Sequence, residues 1–202
     1  MNKYSVIVFD LGKVLIPFDY EPVIQKFNQL KPNLGNKFKV LYAANYHIHQ
    51  QFERGELTQD KFLEIMLDWL EGIISADEFC FLFSNIFTIN QNVVELLPML
   101  KEEYKLILLS NTNEMHKRYG YGKFKFLNYF DKLILSHEVG AIKPEEKIYR
   151  TVEAFTQKQS SEHFFIDDIP EYVEGAKKCG WNGTQFVGYE KLVEILKAES
   201  IL

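Results

Sequence analysis

The sequence has few cysteines, and they are not arranged for a metal or redox site. Cys80 and Cys179 are the two cysteines among 202 residues, and they lie far apart, outside any CxxC pattern. Two isolated thiols are typical of a protein from a reduced compartment. A chain of this length buries about 70% of its unfolded surface on folding, so it needs neither a disulfide nor a structural metal to hold a core.

Long apolar runs and an excess of positive charge are also missing. No stretch approaches the ~20 apolar residues of a membrane helix, and the run Val6–Phe9 is too short for a signal-peptide core. The 23 Lys and Arg residues are outnumbered by 28 Asp and Glu residues, which gives a net charge of −5. This balance argues against non-specific binding to nucleic acid or to anionic membranes. We therefore expect a cytoplasmic protein whose partner is neither a nucleic acid nor a membrane.

What the sequence does have is an alternation of short apolar runs with helical patterns. The apolar runs, which are typical of buried parallel strands, cover residues 4–9, 105–109, 132–135, 163–166 and 184–187. Patterns of helical spacing between or after the later runs cover residues 91–103, 145–155, 170–178 and 190–197. This order predicts an α/β fold with a doubly wound, Rossmann-like parallel sheet of about five strands.

A helical block interrupts that alternation after the first strand. Amphipathic patterns cover residues 20–30, 37–52, 58–70 and 76–87, with no strand pattern among them. A block that leaves the sheet after strand one and returns to it is an inserted cap. We expect an α/β core domain over residues 1–16 and 89–202, and an all-helical cap domain over residues 17–88.

Polar residues follow the predicted strands at the points where the strands end. Ligands of open α/β sheets bind beyond the carboxyl ends of the strands, so these side chains are candidates for a site. Adjacent carboxylates repel each other unless a cation lies between them, and their hard oxygen atoms favour Mg²⁺. The residues, in chain order, are Asp10, Gly12, Ser110, Asn111, Lys143, Asp167 and Asp168.

Four motifs in this order resemble those of the haloacid dehalogenase superfamily. They are VIVFDLGKVL, LILLSNTN, GAIKPEEKIY and FFIDDIPEYVEGAKKCG, and they extend over nearly the whole chain. The helical block stands where that superfamily inserts its first cap domain. More narrowly, the motifs resemble the branch that contains sugar 1-phosphatases of the glucose-1-phosphatase kind.

The resemblance implies a role for each residue of the motifs. Asp10 is the expected nucleophile and also a metal ligand. Ser110 and the amide of Asn111 are expected to bind the transferred phosphoryl group, and Lys143 to neutralise its charge. Asp167, Asp168 and the backbone carbonyl of Gly12 are expected to complete a Mg²⁺ site with Asp10.

Gly12 departs from the superfamily's pattern. Most of its phosphatases carry a second aspartate two residues after the nucleophile, as general acid and base, and this help is worth ~10²–10⁴-fold. Lys13, Asp19, His47 and His49 are other polar groups that stand near in sequence or in the cap. His47 and His49 are two positions apart, so on a helix they face different ways.

The segment FERGELT, residues 52–58, resembles the cap loop of the sugar-phosphatase branch. Glu53 and Arg54 are therefore candidates for substrate contacts from the cap, and Glu53 is a further candidate for the missing acid. Without an acid at position 12, hydroxyls that leave easily should react best, which favours sugar 1-phosphates over 6-phosphates.

We expect a Mg²⁺-dependent phosphatase of a small phosphorylated metabolite that acts through an aspartyl-phosphate intermediate. One alternative is a catalytically weakened relative with a binding or regulatory role, which retention of Asp10, Lys143 and the acid pair disfavours. A second is a metal-independent 2-haloacid dehalogenase, which has no use for adjacent acids at Asp167 and Asp168. A third is a flavodoxin-like signalling receiver, to which the cap is foreign. The oligomeric state and the physiological substrate stay open at this level.

Overall fold

A parallel sheet of five strands forms the centre of the protein, with the first strand in the middle. The computed structural model describes residues 3–202, so Met1 and Asn2 of the predicted segment 1–16 lie outside the described residues. The strand order is β3-β2-β1-β4-β5, and each neighbouring pair is parallel. The strands are β1 (Val6–Phe9), β2 (Lys105–Ser110), β3 (Lys132–Leu135), β4 (His163–Asp167) and β5 (Asn182–Gln185). The predicted α/β fold with a Rossmann-like sheet is confirmed.

Five helices follow β1 and pack around a hydrophobic cluster of their own. They are α1 (Glu21–Leu30), α2 (Leu34–Ala44), α3 (Tyr46–Glu53), α4 (Gln59–Trp69) and α5 (Ala76–Ser84). The side chains of Thr58 and Ser75 cap α4 and α5 by accepting hydrogen bonds from backbone N–H groups three residues on. The cluster is rich in phenylalanine and also takes in Met115, which comes from the segment after β2. This packing agrees with the predicted division into cap (17–88) and core, which stays a prediction.

Further helices cover both faces of the sheet and bury the strand side chains, which alternate between the two faces. These helices are α6 (Gln91–Val94), α7 (Leu97–Glu103), α8 (Ser136–Val139), α9 (Glu146–Thr156), α10 (Pro170–Lys178) and α11 (Tyr189–Ala198). Ile7 and Phe9 of β1 lie in the cluster that holds residues of α7 and α11. Val6 and Val8 lie in the opposite cluster, with residues of α9 and α10. Successive strand residues point to opposite faces, so covering both faces requires the continuous apolar runs seen in the sequence.

Three predicted elements differ most from the structure. The helix predicted over 37–52 is two helices, because Asn45 leaves the helical region (φ −120°, ψ 33°) and its side chain donates to the Leu41 carbonyl oxygen. The helix predicted over 91–103 is also two, α6 and α7, with a proline in the first turn of α7. The last strand lies at Asn182–Gln185 rather than 184–187, because its register follows the pairing with β4.

The segment after β2 carries structure for which the sequence showed no pattern. A π-helix spans His116–Gly120, and short 3₁₀ turns follow at Tyr121–Lys123 and Lys125–Tyr129. The π-helix packs against α5, where Ser84 donates a hydrogen bond to the Met115 carbonyl oxygen. Among residues 3–202, no helix is both long and apolar enough to cross a bilayer.

Candidate active site

The polar strand ends meet at one edge of the sheet, as the parallel topology requires. Asp10 comes directly after β1, Ser110 ends β2 and Asp167 ends β4. The Asp10 backbone N–H donates to the Ile166 carbonyl oxygen at 2.9 Å, which continues the pairing of β1 with β4 by one residue. This bond holds the Asp10 carboxylate beside Asp167.

Lys143 joins these strand ends through its buried ammonium group. Its Nζ donates to Asp10 Oδ1 at 2.6 Å, to Asp167 Oδ2 at 2.5 Å and to the Leu109 carbonyl oxygen at 3.2 Å. The side chain is 1% exposed, and these bonds occupy the three protons that an ammonium can donate. Asn111 holds the Lys143 backbone in place, because its side-chain oxygen accepts from Lys143 N and its nitrogen donates to Lys143 O.

Burial and neighbouring charge shift the pKa values of this group. Burial raises the pKa of Asp10 to about 7, although the Lys143 ammonium opposes that shift, and the Asp167 carboxylate adds to it. For Lys143, burial alone would lower the pKa, but the charges of Asp10 and Asp167 outweigh burial and raise it. The lysine is therefore a permanent cation at the centre of the site.

Asp10, Asp167 and Asp168 form a cluster that fits a divalent cation. One carboxylate oxygen from each lies within 4.8 Å of the others. Three carboxylates face a single buried ammonium, so the group has an excess of negative charge that a dication would balance. Burial, followed by the charge of Asp167, raises the pKa of Asp168, as expected for acids crowded together without a cation. Hard carboxylate oxygens are the ligands that Mg²⁺ prefers.

The individual atoms of the cluster are not all equally available to a cation. Asp10 Oδ1 accepts a hydrogen bond from Lys143 and keeps a second lone pair that a cation could use, whereas Asp10 Oδ2 does not bind Lys143. Asp167 Oδ1 accepts a hydrogen bond from Ile169 N at 2.8 Å. The carbonyl oxygen of Gly12 accepts one from Val14 N and keeps a second lone pair. Its role as a metal ligand stays a prediction.

Two cavities adjoin the site. The smaller, about 140 Å³, is lined by Asp10, Lys143 and Asp168 together with residues of the cap. The larger, about 400 Å³, has six tyrosine and phenylalanine side chains in its walls and reaches Ser110 and Asn111. The residues that line both cavities are Gly12, Phe18, Tyr46, Glu53 and Asn111. A molecule whose reacting end faces Asp10 therefore has room for its remainder in the larger cavity.

The predicted phosphate-binding residues, Ser110, Asn111 and Lys143, lie along the walls of the two cavities. Ser110 is 2% exposed, and its hydroxyl donates weakly to the Asn111 carbonyl oxygen at 3.3 Å. Asn111 lines both cavities, while Lys143 lines the smaller one. The structure brings these residues together, and their binding of phosphate stays a prediction.

The two candidates for substrate contacts from the cap, Glu53 and Arg54, lie in different surroundings. Glu53 is largely buried, lines both cavities, and lies 3.2 Å from His49 Nε2 through its Oε1. Arg54 pairs instead with Glu145, and it is not among the residues that line either cavity. His49 is buried and His47 exposed, as their spacing on a helix predicts.

Several aromatic residues of the site were missed by the sequence analysis. Tyr172 places its ring 5.0 Å from Lys143 Nζ, and Phe18 and Tyr46 close the cavities from the side of the cap. Aromatic residues at helical spacing look alike in the sequence whether they fill a core or line a cavity. The one sequence signal that Tyr172 belongs to the site was its position, four residues after Asp168.

Comparison with known proteins finds a matching protein family. The family model described as "Haloacid dehalogenase-like hydrolase" matches residues 81–186, just over half of the chain. A curated relative, the D-ribitol-5-phosphate phosphatase of Bacteroides thetaiotaomicron, is 28% identical over 189 residues, which cover 89% of this chain and 90% of the relative.

Solved structures share the fold. A HAD family enzyme of Bacteroides thetaiotaomicron, crystallised with magnesium and inorganic phosphate, superposes with a TM-score of 0.78 at 27% identity. The alignment covers 90% of this chain and 93% of that one. The L-2-haloacid dehalogenase of Xanthobacter autotrophicus has a TM-score of 0.65 at 18% identity, over 100% of this chain and 85% of the other. At that identity the likeness is one of fold alone.

Proposed function

Because this chain belongs to the haloacid dehalogenase-like hydrolase family, we propose that it is a Mg²⁺-dependent phosphatase that uses Asp10 as its nucleophile. The observation that carries the proposal is the pairing of Lys143 with both Asp10 and Asp167 at the base of a cavity. This arrangement holds one oxygen of Asp10 on the ammonium and leaves Oδ2 for attack on phosphorus.

The chain's own residues divide the work of phosphoryl transfer between attack and charge stabilisation. Asp10 attacks phosphorus and forms an aspartyl-phosphate, while Ser110 and the Asn111 amide hold the equatorial oxygens. Lys143 offsets the repulsion between the Asp10 carboxylate and the anionic phosphate. Asp10, Asp167, Asp168 and the Gly12 carbonyl would hold Mg²⁺, which when bound supplies further neutralisation of the phosphoryl charge.

The substrate that we propose is a small sugar or polyol phosphate. The curated relative is named for a polyol phosphate, and the larger cavity, about 400 Å³, is of the size that holds a small molecule. Aromatic walls suit the apolar face of a sugar. The preference for sugar 1-phosphates that Gly12 predicts holds only where no other group protonates the leaving oxygen.

A release assay for inorganic phosphate tests this function. Sugar 1-phosphates, sugar 6-phosphates, polyol phosphates, acyl phosphates and p-nitrophenyl phosphate are compared with Mg²⁺ and with EDTA. We expect turnover that requires Mg²⁺ and falls below ~1% in Asp10→Asn, because removing a covalent nucleophile costs several decades in rate. Turnover that survives EDTA undiminished, or an Asp10→Asn variant that keeps its activity without deamidation, would refute the proposal.

A further inference from the structure

The position two residues after Asp10 has no side chain and opens onto the nucleophile. A Cβ built on Gly12 would lie 4.0 Å from Asp10 Oδ2 and 3.3 Å from the Phe18 ring. Position 12 therefore supplies no acid beside the oxygen that attacks, and the two other core acids there, Asp167 and Asp168, belong to the cluster that fits a cation. Any proton for the leaving oxygen must come from another wall of the cavity.

Glu53 is the acid on the facing wall. It lines the smaller cavity together with Asp10, Lys143 and Asp168, although it belongs to α3 of the cap. Its carboxyl group also lies near the core side, since it is close enough to Tyr172 to add to the rise that burial produces in the pKa of that phenol. Because it lines the larger cavity as well, a substrate that extends through both cavities would lie beside it.

A short chain of hydrogen bonds orients the Glu53 carboxyl. The Tyr42 hydroxyl lies 2.6 Å from His49 Nδ1, and burial keeps the pKa of Tyr42 well above its usual value. In the tautomer in which the phenol donates to Nδ1, the ring proton lies on Nε2. That atom faces Glu53 Oε1 at 3.2 Å, so Oε2 is left for the cavity.

We infer that Glu53 is the general acid and base of the reaction, in place of the aspartate that position 12 lacks. The inference rests on the proposed function. In the first step Asp10 Oδ2 bonds to phosphorus, the bond from phosphorus to the leaving oxygen breaks, and that oxygen takes the proton of the Glu53 carboxyl. In the second step water attacks phosphorus, gives its proton to the Glu53 carboxylate, and the bond between phosphorus and Asp10 breaks. Each turnover thus returns Glu53 to its protonated form.

The leaving group decides how much this acid matters. An alkoxide is a poor leaving group and needs a proton, whereas p-nitrophenolate departs without one. Glu53→Gln should lower kcat/KM for alkyl phosphates, such as sugar 6-phosphates and D-ribitol 5-phosphate, by ~10²–10⁴-fold. For p-nitrophenyl phosphate the loss in kcat/KM should stay within about tenfold, because this parameter covers only the steps up to transfer onto Asp10.

A burst experiment isolates the second step. With p-nitrophenyl phosphate, Glu53→Gln should release about one p-nitrophenol per active site rapidly and then turn over slowly, since the attack of water has lost its base. Binding of inorganic phosphate, measured by calorimetry, and the melting temperature should match wild type. Glu56→Gln is the matched control, because Glu56 lies three residues after Glu53 in the loop that follows α3, is exposed and pairs with Arg54.

The outcomes separate this inference from the proposed function. Three outcomes would overturn the role of Glu53 and leave Asp10 as nucleophile. In the first, Glu53→Gln loses the same kcat/KM on alkyl and aryl esters; in the second, it loses less than tenfold on alkyl esters. In the third, the wild type hydrolyses aryl esters but no alkyl ester. A wild type inactive on every ester would overturn the proposed function, and the inference with it. If Glu53→Gln does not fold, Glu53→Asp provides the same comparison of esters with a carboxyl withdrawn by one methylene group.

Discussion

Lys143 Nζ lies 2.6 Å from Asp10 Oδ1 in a pair that the protein buries almost completely. The same nitrogen lies 2.5 Å from Asp167, so one ammonium compensates two carboxylates that come from different strands. A buried charge is tolerated only where it is paired and hydrogen-bonded. The pair therefore supports the stability of the site, and under the proposed function it also offsets the repulsion between Asp10 and an anionic phosphate.

Lys143→Met should destabilise the metal-free protein. Two buried carboxylates would lose their partner, and breaking a buried ion pair from one side costs about 3–5 kcal/mol. We expect that decrease in the free energy of unfolding by urea in EDTA. Lys147→Met is the control, because Lys147 is exposed and its change should stay within about 0.5 kcal/mol. Similar unfolding curves for both variants would contradict the importance of the pair.

Asp168→Asn should weaken Mg²⁺ binding far more than it harms the fold. Asp168 is half-buried and its closest cation is Lys13, 3.9 Å away, so its removal relieves repulsion from Asp167 when no metal is bound. Mg²⁺ at 100 times its dissociation constant should stabilise wild type by about 2.7 kcal/mol. Melting temperatures across a Mg²⁺ titration measure the effect, with the exposed Asp68→Asn as control. An unchanged titration in Asp168→Asn would place the cation elsewhere.

Gly12→Asp should restore proton transfer to a protein that has lost Glu53. The backbone at position 12 does not require glycine, and a Cβ there needs the Phe18 ring, which is 39% exposed, to shift by a few tenths of an ångström. The double variant Gly12→Asp with Glu53→Gln should hydrolyse alkyl phosphates at least tenfold faster than Glu53→Gln alone, since a positioned acid is worth ~10²-fold or more. The readout is kcat/KM for paired sugar 1- and 6-phosphates. No gain on either ester would mean that an acid at position 12 does not reach the leaving oxygen.

A fall in pH should destabilise the protein, because of the buried side chain of His116. Burial, with a contribution from the nearby His49, lowers the pKa of His116 from 6.5 to about 3. Between these values the unfolded chain binds a proton that the folded protein does not, so stability present above pH 6.5 is lost as the pH falls. One such group costs about 1.4 kcal/mol per pH unit, or about 2 kcal/mol on going from pH 6.5 to pH 5.

His116→Gln isolates that contribution, because the other titrating groups remain. Urea unfolding at pH 7 and pH 5 should show a smaller loss of stability in the variant than in wild type, by about 2 kcal/mol. The glutamine can keep polar contacts with Tyr20 and Asn113, the present hydrogen-bond partners of the ring. Equal losses in both proteins would show that His116 is protonated alike in the folded and unfolded states.

The fold was largely predictable because its signals are local. Buried parallel strands are continuous apolar runs, and the polar residue after each run marks its carboxyl end, as at Asp10 and Asp167. The end of β5 and the break at Asn45 were not predictable, because strand register and helix ends depend on what packs alongside. The π-helix at His116–Gly120 has no pattern of its own and depends on its packing against the cap.

The sequence by itself determined which groups stand at the strand ends, and the resemblance of the motifs to a known family predicts that they are a nucleophile, a lysine and an acid pair. Only the tertiary structure decided which groups meet. It placed Lys143 between Asp10 and Asp167, and it turned Glu53 into the cavity while its neighbour Arg54 paired with Glu145. Adjacent residues on a helix point in different directions, and which of them faces the site depends on how the helix packs against the sheet, through contacts between residues far apart in the chain.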